Sequence, residues 1–574
     1  MPRLLHTRYT LALAVATGLV APSAVSAQAS AEPPCDGLPV AAVEVDAGRP
    51  DFSGTMRWWR AFARQMGLHH HTTENGLIRR FVTLDPGRPC TEFRRAESER
   101  ILRAQPYLTN ARVETRRAGD SVIVHVSTQD EVALVAGARL RGASMQALTL
   151  GTLNLWGGGT HVEARWEEGR VLRDGFGGKI THHQLLGRPY SLVLEGERRP
   201  LGEYYTLSLS HPFITDLQRV AWHAGNTVSK NFASYRRPDR TQLLQPVDRT
   251  LWNVGGMVRI GPPRRLVLVG GMILHERQVP HHSFSMWDAN GGLVPPPETS
   301  GVRRYGIFDA TNVAGVLGIR ALTFHRVSGL DALQAEQDVA TGAQVGAMLG
   351  LRPFFDTPLS NGFGLVDAYA GALSGRSFLG ARVELETRLD LDETDWRHLI
   401  GSGRAAWYFK GSERWVSELS VEGAGAWRTI LPFQIELGDR YGGVRGYARS
   451  FEPGGQRLLA RLEQRWDVAR YQRTRAAIGL AAFSDAGRMW AGDVPFGMNT
   501  PLRVSAGFAV LAAVPAQSRR TMRAEVAFPL DRGMGARAEL RFTVREPARG
   551  FWFEPPRVRW ARLAAVPEQI FSWP

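Results

Sequence analysis

From about Val132 to Arg545 apolar and polar residues alternate in short runs, and no segment keeps a trustworthy helical period. Successive side chains of a strand point to opposite faces, so each run reads as a strand with one apolar and one polar face. In Met522–Phe528, Met522, Ala524, Val526 and Phe528 oppose Arg523 and Glu525. In Ala536–Val544, Ala536, Ala538, Leu540, Phe542 and Val544 oppose Arg537, Glu539, Arg541 and Thr543. Leu502–Val514, Val383–Leu389 and the run around Tyr205, Leu207 and Leu209 repeat the pattern. A soluble sandwich also alternates. Two features favour a membrane barrel instead. Charges of both signs recur on the polar face, as a wet lumen requires. A soluble all-β unit of this length would normally split into domains. At roughly 26 residues per strand with its connection, the stretch holds about 16 antiparallel strands. Short links such as Asp531-Arg532-Gly533 and long polar ones such as Pro280–Thr299 fit short turns on one rim and long loops on the other.

The N-terminus reads as an export signal, residues 1–27. Arg3 and Arg8 flank an apolar core, Tyr9–Val20, and Val25-Ser26-Ala27 supplies small residues for cleavage after Ala27. That core is too short to cross about 30 Å of hydrocarbon, and no later run of 18 apolar residues exists. Ala31-Glu32-Pro33-Pro34 before Cys35 is a poor lipidation signal. With 2 Cys the chain is no disulfide scaffold. In an oxidising compartment Cys35 and Cys90 form a possible disulfide, which the sequence leaves open.

The net charge of +15 raises nucleic acid as a partner. All but three of the 70 basic residues are Arg, however, and many alternate with apolar residues rather than forming an aromatic-laced stripe. No nucleic acid is expected. His69-His70-His71 cannot all face one ion, and no Cys or acid sits at ligand spacing, so no metal is expected. No cofactor is expected either. There is no G-x-S-x-G elbow and no convincing Ser, His and Asp arrangement, so the chain is not read as an enzyme.

Residues 28–131 differ. Val40–Val45 reads as a strand, Gly54–Met66 and Thr72–Val82 as helix candidates, and Thr91–Ala104 as a helix capped by Thr91. Two strands follow, Ala111–Arg116 and Ser121–Thr128, joined at Ala118-Gly119-Asp120. This order, with Ala96–Arg103 and Pro106–Ala111, resembles a single POTRA (polypeptide-transport-associated) domain. Residues 132–545 are then the barrel and 546–574 a tail. The tail carries Pro547, Pro555, Pro556 and Pro567 beside Phe551, Trp552, Phe553, Trp560 and Trp573. Either Ala536–Val544 closes the barrel and the tail folds back onto the rim or into the lumen, or Val558–Leu563 adds a late strand.

Within the barrel lies Gly438-Asp439-Arg440-Tyr441-Gly442-Gly443-Val444-Arg445-Gly446-Tyr447. Downstream stand Glu463 and Arg465, two apart, and Phe483-Ser484-Asp485-Ala486-Gly487. The three pieces, in this order, resemble the BamA/TamA superfamily of outer-membrane barrels, of the bacterial surface antigen type. The resemblance implies that Val444, Arg445, Gly446 and Tyr447 tip a sixth outer loop folded into the lumen. It implies that Asp485 meets Arg445, with Gly443, Glu463, Phe483 and Gly487 in support. A bidentate, charge-assisted contact suits that role, and the glycines allow tight turns. The family implies an outer-membrane protein of a Gram-negative-type bacterium, its POTRA-like domain in the periplasm. Such a protein inserts, assembles or translocates other polypeptides without nucleotide. Its partners would be unfolded or secreted polypeptide clients and outer-membrane lipid or lipopolysaccharide. The alternatives are a passive channel or structural barrel, and a two-partner-secretion-type transporter.

Overall fold

A computed structural model describes residues 35–50, 71–141, 144–169, 171–288, 290–297, 305–352, 361–390, 395–438, 442–448, 452–471, 476–531, 538–545 and 555–562. The expected signal 1–27, the helix candidate Gly54–Met66, and His69 and His70 lie outside these residues.

The first described unit is α+β. Its elements are β1 (Asp36–Gly48), α1 (Asn75–Arg79), β2 (Pro89–Thr91), α2 (Glu92–Arg103), β3 (Leu108–Ala118) and β4 (Ser121–Asp130). The sheet order is β2-β1-β4-β3, with β1 parallel to β4. Thr91 caps α2, its hydroxyl accepting from the Arg94 N–H at 3.3 Å. Gly119 turns the β3–β4 hairpin at a positive φ of 63°. The helix expected over Thr72–Val82 is only Asn75–Arg79, because the chain then straightens to bury Phe81, Val82 and Leu84 in the core. Cys35 and Cys90 are joined by a disulfide. Closing a loop of sequence separation 55 contributes about 4 kcal/mol in the chain-entropy view. Reduction should therefore sensitise this unit to proteolysis, while the barrel stays resistant.

The remaining strands form one antiparallel sheet closed on itself. Six short strands come first: β5 (Leu134–Arg141), β6 (Ser144–Thr152), β7 (Thr160–Glu167), β8 (Gly175–His182), β9 (Ser191–Arg198) and β10 (Glu203–His211). Longer ones follow: β11 (Val220–Arg236), β12 (Gln242–Ile260) and β13 (Leu266–Pro280). A small extension holds β14 (Ser285–Trp287) and β15 (Leu293–Val294). The ring continues through β16 (Phe308–Ser328), β17 (Glu336–Leu351), β18 (Asn361–Ser374), β19 (Ser377–Asp390), β20 (Asp395–Ser412) and β21 (Trp415–Trp427). A long connection then carries the two-residue pair β22 (Ile435–Glu436) and β23 (Pro453–Gly454). It ends with β24 (Gln456–Tyr471), β25 (Ala476–Trp490), β26 (Arg503–Ala513), β27 (Thr521–Pro529) and β28 (Glu539–Arg545), which lies beside β5.

Among the described residues, leaving the two-residue and three-residue pieces aside, the ring has about twenty strands, not the expected sixteen or so. The difference arises over Leu134–His211, where six strands of eight or nine residues are joined by short links such as the four residues Arg199–Gly202. The link at Asp531 also differs from expectation. It leaves the same rim as Pro280–Thr299, because β13 and β27 are ten places apart in an alternating ring.

The two faces follow the alternation. Leu207, Val258, Leu349, Leu385, Phe508 and Phe542, from six different strands, are exposed outside. Their neighbours Ser208, Glu384, Arg523 and Glu525 are buried inside. Contiguous apolar surface on this scale is unsuited to water and fits a hydrocarbon belt.

The α+β unit is docked on the rim from which β5 starts. Arg519, in the β26–β27 link, donates to the carbonyls of Arg103 at the end of α2, of Gln105 just beyond it (2.7 Å) and of Leu108 at the start of β3 (3.0 Å). The Arg103 guanidinium pairs with Asp338 at 2.6 Å, and Arg326 pairs with Glu99 at 2.9 Å. On other links Asn154 donates to Thr73 at 2.8 Å and Gln184 to the Leu77 carbonyl at 3.0 Å. Burial works against ionising Glu97 and Glu99. The charges of Arg100 beside Glu97, and of Arg103 and Arg326 beside Glu99, outweigh it and hold both carboxyls below the usual range. Groups so depressed stabilise docking above the ordinary carboxylate pKa, and that stabilisation is lost as pH falls through their lowered values. Spin labels on Asp120 and Gln334 should give one narrow distance at pH 6. The distribution should broaden once the pH drops well below 4. An unchanged distribution down to unfolding would show that these pairs do not hold the unit in place.

Candidate functional site: an ion-pair lock in the lumen

The connection between β21 and β24 turns into the barrel instead of standing off it. Val444 and Tyr447 are fully buried, and Val444 packs with Leu437, Leu459 and Met489. Tight packing explains the glycines here. A Cβ on Gly487 would sit 2.5 Å from the Val444 side chain, and one on Gly438 would strike the Tyr447 carbonyl. Gly446 has φ +88° and lies against Pro529. Gly443 is buried, and its carbonyl accepts from Arg461 at 3.2 Å.

Arg445 is the centre. Its Nε and Nη2 donate to the two oxygens of Asp485 at 2.8 and 2.6 Å, and its backbone N–H donates to the same carboxylate at 3.1 Å. This is the fork-to-carboxylate geometry that Arg alone offers. Nη1 reaches Glu463 at 3.3 Å and Glu525 at 3.2 Å. The guanidinium carbon lies 3.4 Å from the Phe483 ring centre, a stacked cation–π contact. Arg523 links the same acids, donating to Glu463 at 2.8 Å and to Glu525 at 2.6 Å. The loop is tied twice more. The Gly446 N–H donates to Glu539 at 2.8 Å, and the Tyr447 hydroxyl donates to the Val504 carbonyl at 3.0 Å.

The structure therefore brings together Val444, Arg445, Gly446, Tyr447, Glu463, Phe483, Asp485 and Gly487, from one loop and two strands. Cys35 and Cys90 lie apart, in the α+β unit. Sequence reading did not single out Arg523, Glu525 and Glu539 as partners. The available signal was the i, i+2 spacing of opposite charges, Arg523 with Glu525 and Glu539 with Arg541, on the lumenal faces of β27 and β28. Among the described residues no cluster of three or more metal-ligating side chains forms. The arrangement is a lock that fixes a loop inside a barrel.

No family model and no curated protein sequence matches the chain. Several solved structures are similar over most of its length. BamA from Haemophilus ducreyi, in a form lacking POTRA domains 1–3, is 14% identical, with 88% of this chain and 84% of that one covered and a TM-score of 0.39. CdiB from Acinetobacter baumannii is 9% identical, with 88% and 73% covered and a TM-score of 0.40. CdiB from Escherichia coli is 10% identical, with 92% of each chain covered and a TM-score of 0.38.

Proposed function

We propose that the chain is an outer-membrane barrel that inserts or translocates other polypeptides, with its α+β unit serving as a POTRA-like domain in the periplasm. The observation that carries this reading is the buried Arg445–Asp485 lock, which holds a long loop inside the barrel. A loop fixed in this way occupies space that a passive channel would keep open, which favours the transport reading. The strand lengths support it too. The ring closes through β28, of seven residues, beside β5, of eight, whereas β16 on the far wall has 21. Fewer ladder bonds join the short strands, so that seam is the easiest place for a client strand to add by β-augmentation. The β2 and β3 edges of the small sheet offer the same chemistry in the periplasm. The reading requires neither nucleotide nor catalytic group, and its partners are unfolded or secreted polypeptides and outer-membrane lipid.

Depleting the protein and comparing the outer-membrane proteome tests this. Loss of particular barrel or surface proteins is expected, and an unchanged proteome with altered small-solute permeability would favour a channel. A neighbouring gene for one large secreted β-helical protein would narrow the role to two-partner secretion.

A further inference from the structure

The tail residues 555–562 lie in the lumen. The described part of Val558–Leu563, through Arg562, is not a late strand: Pro556–Ala561 forms a short helix, α3, started by Pro556 at its first position. Val558 and Ala561 are buried with Ile400, Phe433 and Leu437. Trp560 packs against the cluster of Tyr235, Leu243 and Tyr305.

The wall around α3 is built from charge. Arg249 on β12 pairs with Glu276 on β13 at 2.9 Å. Glu276 pairs with Arg388 on β19 at 2.9 Å, and Arg388 with Glu386 at 2.6 Å. On the other side Asp367 on β18 pairs with Arg382 at 2.8 Å, and Arg382 pairs with Glu384. Arg562 of the tail joins the two halves, pairing with Glu384 and lying 4.0 Å from Glu386. In this chain of pairs four carboxylates meet three guanidiniums from the wall, and the tail supplies the fourth. Arg249 also donates to the backbone carbonyls of Trp560 and, at 2.9 Å, of Arg562.

We infer that this stretch of wall is a peptide-binding site for a basic segment, occupied here by the chain's own tail. Three features define the ligand. Glu384 and Glu386 select an arginine side chain. Arg249 reads backbone carbonyls, which any polypeptide presents. The apolar clusters take an aromatic residue two positions before that arginine. Removing the ligand leaves buried carboxylates one cation short, which is unfavourable, so an equivalent cationic segment is the natural replacement. The helix adds no strand to the ring, so its departure breaks no ladder. The tail thus acts as a displaceable occupant of the lumen.

The test uses the full-length protein and a fluorescent synthetic peptide of residues 555–562. In detergent the peptide should bind the Arg562→Glu variant at least tenfold more tightly than wild type, whose site is filled. A control peptide ending in Glu should not bind. In planar bilayers the variant should conduct several-fold more than wild type, and added peptide should lower the conductance again. Heat-modifiable gel migration confirms folding; if Arg562→Glu does not fold, Arg562→Gln takes its place. Adding Glu384→Gln and Glu386→Gln to the variant should abolish peptide binding. Equal binding by both peptides, equal binding to wild type and variant, or no binding to a folded variant would overturn the site. These readouts need no client, so their failure leaves the transport proposal standing.

Discussion

Replacing Arg445 with Ala should cost about 3 to 5 kcal/mol of stability, the range found when one member of a buried ion pair is removed. The loss is large because of what stays behind. Asp485 is 1% exposed and loses both side-chain donors that Arg445 gives it, whereas Glu463 and Glu525 keep Arg523. Asp485→Ala should cost less, since Arg445 retains Glu463 and Glu525. The double variant should be little worse than Arg445→Ala, because residues in contact are not additive. Arg445→Lys keeps the charge but loses the fork and should fall between. Denaturant unfolding in detergent measures all four. Protease access to the β21–β24 connection should rise in the same order. Fully additive losses would mean that the two residues do not act as a pair.

Arg519→Ala should have the second large effect, on docking of the α+β unit and not on the barrel. The last carbonyls of a helix have no partner within it, and Arg519 is the cation placed at that end of α2. It donates to the Arg103 carbonyl there and, in the same fork, to the carbonyls of Gln105 and Leu108 in the chain that follows. Losing charged donors to buried carbonyls costs about 1.5 to 3 kcal/mol for the first bond alone. The expected result is a barrel with unchanged heat-modifiable migration whose α+β unit is cleaved at least tenfold faster. Arg519→Lys should rescue only part of the effect, having no planar fork to span several carbonyls. Unchanged cleavage would assign docking to the ion pairs of Arg103 and Arg326 instead.

What the sequence disclosed and what it hid follow one physical division. Period-2 alternation is local, so the two faces of β26 and β27 were readable from Phe508, Val510, Arg523 and Glu525 alone. The α2 boundaries were readable because Thr91 is a cap. Arg445 and Asp485 were readable because each stands in its own short motif. The other partners of Arg445 come from strands up to 80 residues away, and alternation tells only that Glu525 faces inward, not what it meets there. Strand count depends on connection length, and links such as Arg199–Gly202 are far shorter than the average that the estimate assumed. The tail was the hardest part. Its aromatics showed that it was no free coil, yet the Arg562 site exists only where β12, β13, β18 and β19 converge.

The central claim is that this ring is a membrane-spanning barrel with a polar interior. Single cysteines placed along β26 and spin-labelled in lipid vesicles test it most directly; Cys35 and Cys90 are already joined and take no label. Oxygen dissolved in the bilayer should relax labels at Val504, Phe508 and Val510. It should leave those at Ser505, Ala509 and Leu511 much less affected, giving a two-residue period along the strand. A water-soluble nickel chelate reaching Phe508 and Val510 freely, or accessibility without alternation, would contradict the account.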